Sequence, residues 1–249
     1  MKVLILGHKG MLGHMVHKYL STKDDCKLYT TDLRWPTEEF KDFIFNFWYV
    51  QKGDYIINCI GAIHQRTDNF DVNTDLPIWL DESIHGGIRN CKIIHPGTDC
   101  EIDDDEYGIS KRKAAEYLLE KGQWTKIIKT SIIGHELNTK ASLLEWFLNT
   151  DEKEINGWSE YYWNGNTTLQ WAKICYDLMN DWYNYYPLTI PGTDCISKYD
   201  LLNTMKDVYG KDITINKHST QSINKCTDFT LSTPSIDKQL KEMKEYYNE

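Results

Sequence analysis

A short, wholly apolar run that stops on glycine, followed by two more glycines at three-residue spacing, restricts this chain more than any other stretch: Val3-Leu4-Ile5-Leu6, then Gly7-His8-Lys9-Gly10-Met11-Leu12-Gly13. Apolar residues on both faces describe a strand buried inside a parallel sheet. His14 to Leu20 then carries helical periodicity, so the glycines occupy a strand-to-helix turn. Backbone N–H groups at a helix N-terminus face an anion, and absent side chains let it approach. The stretch therefore predicts the phosphate loop of a dinucleotide site built from Gly7, Lys9, Gly10, Met11, Leu12 and Gly13. Its G-x-x-G-x-x-G spacing is one residue longer than the usual fingerprint. His14 and His17 share the helix without an acidic or cysteine companion, so they read as a solvated face and no metal site is expected.

Lys27 to Thr31 reads as a second strand ending at Asp32. An acidic residue about 20 positions beyond the glycines is placed to grip the ribose 2′-hydroxyl of NAD. Lys9 and Arg34 are placed instead to hold the 2′-phosphate of NADP, so the two readings compete. A helix from Pro36 to about Tyr49, a strand from Tyr55 to Gly61, a helix from Asn73 to Ile84, and strands Cys91 to His95 and Thr125 to Thr130 continue the alternation. This pattern predicts an α/β fold, a Rossmann-type doubly wound parallel sheet, over residues 1–133. Past 134 the alternation loosens, which predicts a smaller C-terminal lobe over residues 134–249. A helix over 167–183 is expected to pack back on the first domain.

The chemistry is expected where the fourth strand ends. Thr98 follows that strand, at the edge where open α/β sheets bind ligands. Tyr107 and Lys111 then lie one helical turn apart, on one face. A neighbouring cation favours phenolate and lowers the tyrosine pKa. Tyr19 with Lys23 and Tyr117 with Lys121 repeat the spacing, but they end helices and lack the hydroxyl upstream. Hydride transfer to a carbonyl needs a hydride source, a proton donor and a group on the carbonyl oxygen. The dinucleotide loop, Tyr107 and Thr98 supply these, while Lys111 is expected to tune Tyr107 and hold the nicotinamide ribose. Acidic residues Glu101 to Glu106 read as a solvated loop and helix start. A second Pro-Gly-Thr-Asp-Cys, at Pro191 to Cys195, reads as repeated loop grammar, because Tyr199 has Asn203 four residues later.

Composition excludes other classes. A formal charge of −9 argues against a general nucleic-acid or anionic-membrane surface. The apolar runs are strand-sized, so no membrane span is expected. Seven cysteines without a C-x-x-C pair read as reduced thiols in a cytoplasmic protein.

Four stretches, Gly7 to Gly13, Asn58-Cys59-Ile60-Gly61, Thr98-Asp99 and Tyr107 to Lys111, together resemble the extended short-chain dehydrogenase/reductase superfamily. Thr130-Ser131-Ile132-Ile133-Gly134-His135-Glu136 and Trp163-Asn164-Gly165-Asn166-Thr167-Thr168-Leu169 narrow the resemblance to the dTDP-4-dehydrorhamnose reductase family. It implies NAD(P)H-dependent reduction of a nucleotide-linked 4-keto-6-deoxyhexose, with Thr98, Tyr107 and Lys111 catalytic and Cys59, Ile60 and Gly61 against the cofactor. It further implies a substrate pocket including Asn73, Trp158 and Trp163, and it admits a homodimer. His8-Lys9 is similar to the His-Arg of GDP-fucose synthases that use NADPH, which favours NADP(H) over NAD(H). Only eight residues separate Thr98 from Tyr107, fewer than is usual in the family. The alternatives are an epimerase-reductase, with His64 or Cys100 as extra acid/base groups, and a non-catalytic nucleotide-binding regulatory subunit.

Overall fold

The structure is a computed structural model and describes residues 1–84, 91–219 and 221–248 of the chain. The apolar runs become β1 (Lys2–Leu6), β2 (Lys27–Thr30), β3 (Tyr55–Asn58), β4 (Lys92–Gly97) and β5 (Thr125–Lys129). Between them lie α1 (Met11–Ser21), α2 (Glu38–Phe45), α3 (Asp71–Ile84) and α4 (Glu106–Glu120). Thr37 caps α2 by accepting from the Phe40 N–H, and the helix changes to π-type hydrogen bonding over Asn46–Val50. Every pairing in the main sheet is parallel. β1 has β2 on one side and β3 on the other, so the strand order reverses at β1 and opens a crevice at its carboxyl end. Val3 to Leu6 are fully buried, as residues covered on both faces must be.

The second half contributes β6 (Ile132–Ile133), α5 (Leu143–Asn149), β7 (Glu154–Trp158), β8 (Tyr161–Trp163), β9 (Asn166–Thr167) and α6 (Thr168–Asn180). It continues with β10 (Leu188–Thr189), β11 (Pro191–Gly192), β12 (Ile196–Ser197), α7 (Lys198–Tyr209), β13 (Thr214–His218), β14 (Ile223–Asn224), β15 (Leu231–Ser232) and α8 (Ile236–Asn248). β10 does not stay with the second half. It pairs with β5 and completes a six-stranded sheet in the order β10-β5-β4-β3-β1-β2. α6 lies against α1, burying Trp171, Ala172 and Cys175 with Val16 and Leu20, and the Tyr55 hydroxyl donates to the Met179 carbonyl at 2.6 Å. A second core joins Phe147, Leu201, Met205, Leu240 and Met243 to Met15 of α1.

Two expectations are corrected here. Cys195 and Cys226 form a disulfide, with Cα atoms 5.9 Å apart across 31 positions, leaving Cys26, Cys59, Cys91, Cys100 and Cys175 as thiols. No spacing rule signals a pair that two distant loops bring together. Closing a loop of that length contributes about 4 kcal/mol. We expect Cys195→Ser to lower the urea midpoint, and a reductant to lower the native chain to the same value. Equal midpoints for native and variant chains under oxidising conditions would count against the bridge. His14 is also not solvated: it is 7% exposed, and its Nδ1 lies 3.0 Å from the Gly10 carbonyl oxygen. Among the described residues there is no cluster suited to a metal and no helix long and apolar enough to cross a membrane.

Candidate active site

The glycine loop is determined by close backbone approach. Gly7 has φ +72°, and a Cβ there would lie 2.8 Å from the Cys59 carbonyl carbon. A Cβ on Gly13 would lie 2.2 Å from the Gly7 carbonyl oxygen. Gly10 is the N-cap of α1, with no side-chain cap and no acidic residue in the first turn. The first N–H groups of an 11-residue helix thus lack a side-chain acceptor, an arrangement suited to a phosphate. Within the turn Lys9 Nζ pairs with Asp32 at 2.7 Å, and His8 Nε2 lies 3.8 Å from the same carboxylate. Lys9, which pulls the Asp32 pKa down, is therefore engaged by the residue that competes with it for the ribose. Arg34 is exposed beside them.

From the loop, a cavity of about 450 Å³ runs along the carboxyl edge of the sheet. Gly10, Met11, Leu12, Cys59, Ile60 and Gly61 line one end, and Thr98, Tyr107 and Lys111 line it further along. Asn73 also faces it, but its amide is committed to the fold. Its Oδ1 accepts from the Ala62 N–H at 2.8 Å, and its Nδ2 donates to the Ala62 carbonyl and the Ser110 hydroxyl. Ser110 in turn donates to the Tyr107 carbonyl at 2.7 Å, tying the β3–α3 loop to the helix that carries Tyr107.

The eight-residue connection is short because it folds into a single 3₁₀ turn over Asp99–Ile102. Thr98 caps the turn, and Glu101 Oε1 accepts from the Thr98 N–H at 3.1 Å. Glu101 is not solvated, as its place in an acidic run suggested. It is 5% exposed and paired with Lys129 at 2.7 Å, because the turn folds it under the sheet edge. Asp103 is held by Lys225, which reaches over from the second half of the chain. Asp105 caps α4 by accepting from the Gly108 N–H at 2.6 Å.

Tyr107 and Lys111 do not behave as their spacing suggested. Burial, with Cys100 and Asp99 nearby, pushes the phenol up to about 12, against the Thr98 hydroxyl, which pulls it down. Burial pushes Lys111 down to about 8. Its ammonium turns into the sheet, donating to the Pro96 carbonyl at 2.8 Å with His95 Nε2 at 3.5 Å. The two rival pairs do meet, with Lys23 Nζ 4.3 Å from the Tyr19 ring centre and Lys121 Nζ 5.5 Å from that of Tyr117. A solvated lysine folds over its own helix face, whereas a buried one follows the nearest carbonyl.

Trp158 and Trp163 do not reach the cavity. Trp163 is 5% exposed in the second core, and Trp158 packs edge-on against His218, with ring centres 4.8 Å apart. The far wall is built instead by Ser131, Glu136, Ala141, Ser142 and Leu143, with His64, Gln65 and Arg66 opposite. Arg66 donates to Thr139 at 2.9 Å and lies 3.4 Å from Glu136. His64 Nε2 is 3.3 Å from Asp105, and its ring centre lies 5.7 Å from that of Tyr107. Arg66 and His95 were not singled out from the sequence, and Glu136 only within a motif and without a role, since each acquires its setting only through its tertiary partners.

Several solved structures share this fold over their whole length. A dTDP-4-dehydrorhamnose reductase from Clostridium acetobutylicum is 17% identical, covers 100% of both chains and gives a TM-score of 0.73. One from Bacillus anthracis, in complex with NADP, is 14% identical over 98% of both chains with a TM-score of 0.74. A UDP-glucose 4-epimerase from Thermotoga maritima is 16% identical, covers 100% of this chain and 99% of its own, and gives 0.71. No family model matches the chain, and no curated protein matches it in sequence. At these identities the likeness is one of fold.

Proposed function

We propose that this chain is an NADP(H)-dependent reductase of a nucleotide-linked 4-keto-6-deoxy sugar, of the dTDP- or UDP-4-dehydrorhamnose type, acting in polysaccharide precursor synthesis in the cytoplasm. One observation supports this above the others: Gly10, Met11 and Leu12 of the glycine turn open onto the same cavity as Thr98, Tyr107 and Lys111. The names of the fold's solved relatives are consistent with it, including a reductase bound to NADP and a GDP-linked 4-keto-heptose reductase.

In this reading a nicotinamide bound at this site would supply the hydride for the sugar's keto carbon. The Thr98 hydroxyl hydrogen-bonds the substrate oxygen, and Tyr107, a phenol that stays protonated at neutral pH, gives its proton to the nascent alkoxide. Lys111, held by the Pro96 carbonyl, would offer a further N–H to the ribose hydroxyls. Arg66 and the carboxylate of Glu136 frame the sugar end.

The test is nicotinamide oxidation with dTDP- and UDP-4-keto-6-deoxyglucose. No turnover with any keto sugar favours the non-catalytic subunit. NADP(H) is the preferred cofactor in this reading, with NAD(H) as the alternative. Lys9→Ala should weaken NADPH roughly tenfold, as expected for one charged hydrogen bond, and leave NADH unchanged. Equal NADPH affinities would assign the ribose to Asp32. His64, paired with Asp105 beside Tyr107, supports a second reading as an epimerase-reductase. Solvent deuterium entering the sugar carbons flanking the ketone would identify it. Cys100 is the weaker base candidate, because burial pushes its thiol up to about 12.

A further inference from the structure

His95 lies beneath Lys111, 2% exposed, and has no part in the proton transfer described above. Its two ring nitrogens meet Asn58 on one side and Lys111 on the other. Asn58 is fully buried and its orientation is set by the backbone: Oδ1 accepts from the Ile60 N–H at 3.2 Å. The amide's NH₂ group therefore faces His95, with Nδ2 at 3.3 Å from Nδ1. Nδ1 must then be the acceptor, and a neutral imidazole with an unprotonated Nδ1 carries its hydrogen on Nε2. Burial, with the Lys111 charge next to it, pushes His95 well below the usual imidazole range, so the ring is neutral.

That hydrogen points at Lys111 Nζ, 3.5 Å away. An amine can accept it through its lone pair, while an ammonium has three donors and no acceptor. One Lys111 hydrogen goes to the Pro96 carbonyl, so in the charged form another must oppose the imidazole N–H. We propose that His95, locked in its Nε2–H tautomer by Asn58, is a positioning residue that favours the neutral amine of Lys111 and so sets the pH at which Lys111 carries a proton. Three groups face Lys111: His95 from β4, the neutral Cys59 thiol at the end of β3, and the Glu101 carboxylate, which favours the ammonium but is shared with Lys129.

The consequence for turnover rests on the reductase reading, but the assignment is measurable without substrate. Nitrogen-15 spectra of the ligand-free native chain should show His95 protonated at Nε2 at neutral pH, and Lys111 Nζ titrating near 8. His95→Gln can turn its carbonyl oxygen to the ammonium and should raise that midpoint by roughly one unit, a tenfold gain in proton affinity. Asn58→Asp can still accept from Ile60 and would also accept from Nδ1–H. It should move the imidazole hydrogen to Nδ1 and raise the Lys111 midpoint in the same direction. An Nδ1–H tautomer in the native chain overturns the proposal, as does an unmoved midpoint in folded His95→Gln. A merely structural histidine would lower stability without moving the titration. If tautomer and midpoint behave as stated while no keto sugar is reduced, the proposed function fails and the His95 assignment stands.

Discussion

Tyr107→Phe is expected to reduce keto-sugar turnover by roughly a thousandfold, about 4 kcal/mol in the barrier, while leaving cofactor affinity and the unfolding midpoint close to native. The ring remains to pack against Phe70 and His64, so only the hydroxyl is lost. The sign of the pH dependence follows from the positions of the two groups. Tyr107 is pushed up to about 12, so the acid form needed for reduction persists through the neutral and mildly alkaline range. Lys111 is pushed down to about 8, so its charge is lost first as pH rises. Reduction by the native chain should therefore fall along one alkaline limb near 8. Steady-state rates with a keto sugar from pH 6 to 10 check this, and undiminished turnover in the phenylalanine variant would remove Tyr107 from the mechanism.

Gly13→Ala should abolish dinucleotide binding and destabilise the fold by about 3 kcal/mol, as overpacking against unyielding atoms does. The added methyl would lie 2.2 Å from the Gly7 carbonyl oxygen and 2.7 Å from its carbon. Those atoms are main chain and sit where β1 passes into α1, so relief requires moving the helix start proposed to receive the phosphate. Gly10→Ala provides the contrast: its nearest neighbour would be the same oxygen at 3.3 Å, a contact that a small shift relieves. Calorimetric titration with NADPH beside urea unfolding separates the two effects. Native-like affinity in Gly13→Ala would mean that the loop is not the phosphate site.

The features legible in the linear chain are local in origin. β1, the glycine turn and α1 could be read because apolar runs, φ requirements and helical periodicity act over a few residues. The strand-helix alternation up to β5 followed for the same reason, as did Thr98 at the end of β4. The tertiary structure decided whatever depends on partners far along the chain. It took β10 back into the main sheet and paired Cys195 with Cys226. Trp163 went into the core because β8 turns it toward α7 and α8, and aromatic identity does not encode which side of a short strand faces a cavity.

Tyr107 and Lys111 divide along the same line. Helical spacing put them on one turn, as a backbone period must. Where the ammonium points was decided by Pro96, His95 and Glu101, carried by β4 and the turn after it. A charge buried under a sheet edge is governed by the nearest carbonyl and by the water it has lost, and both exist only once the strands have closed around it.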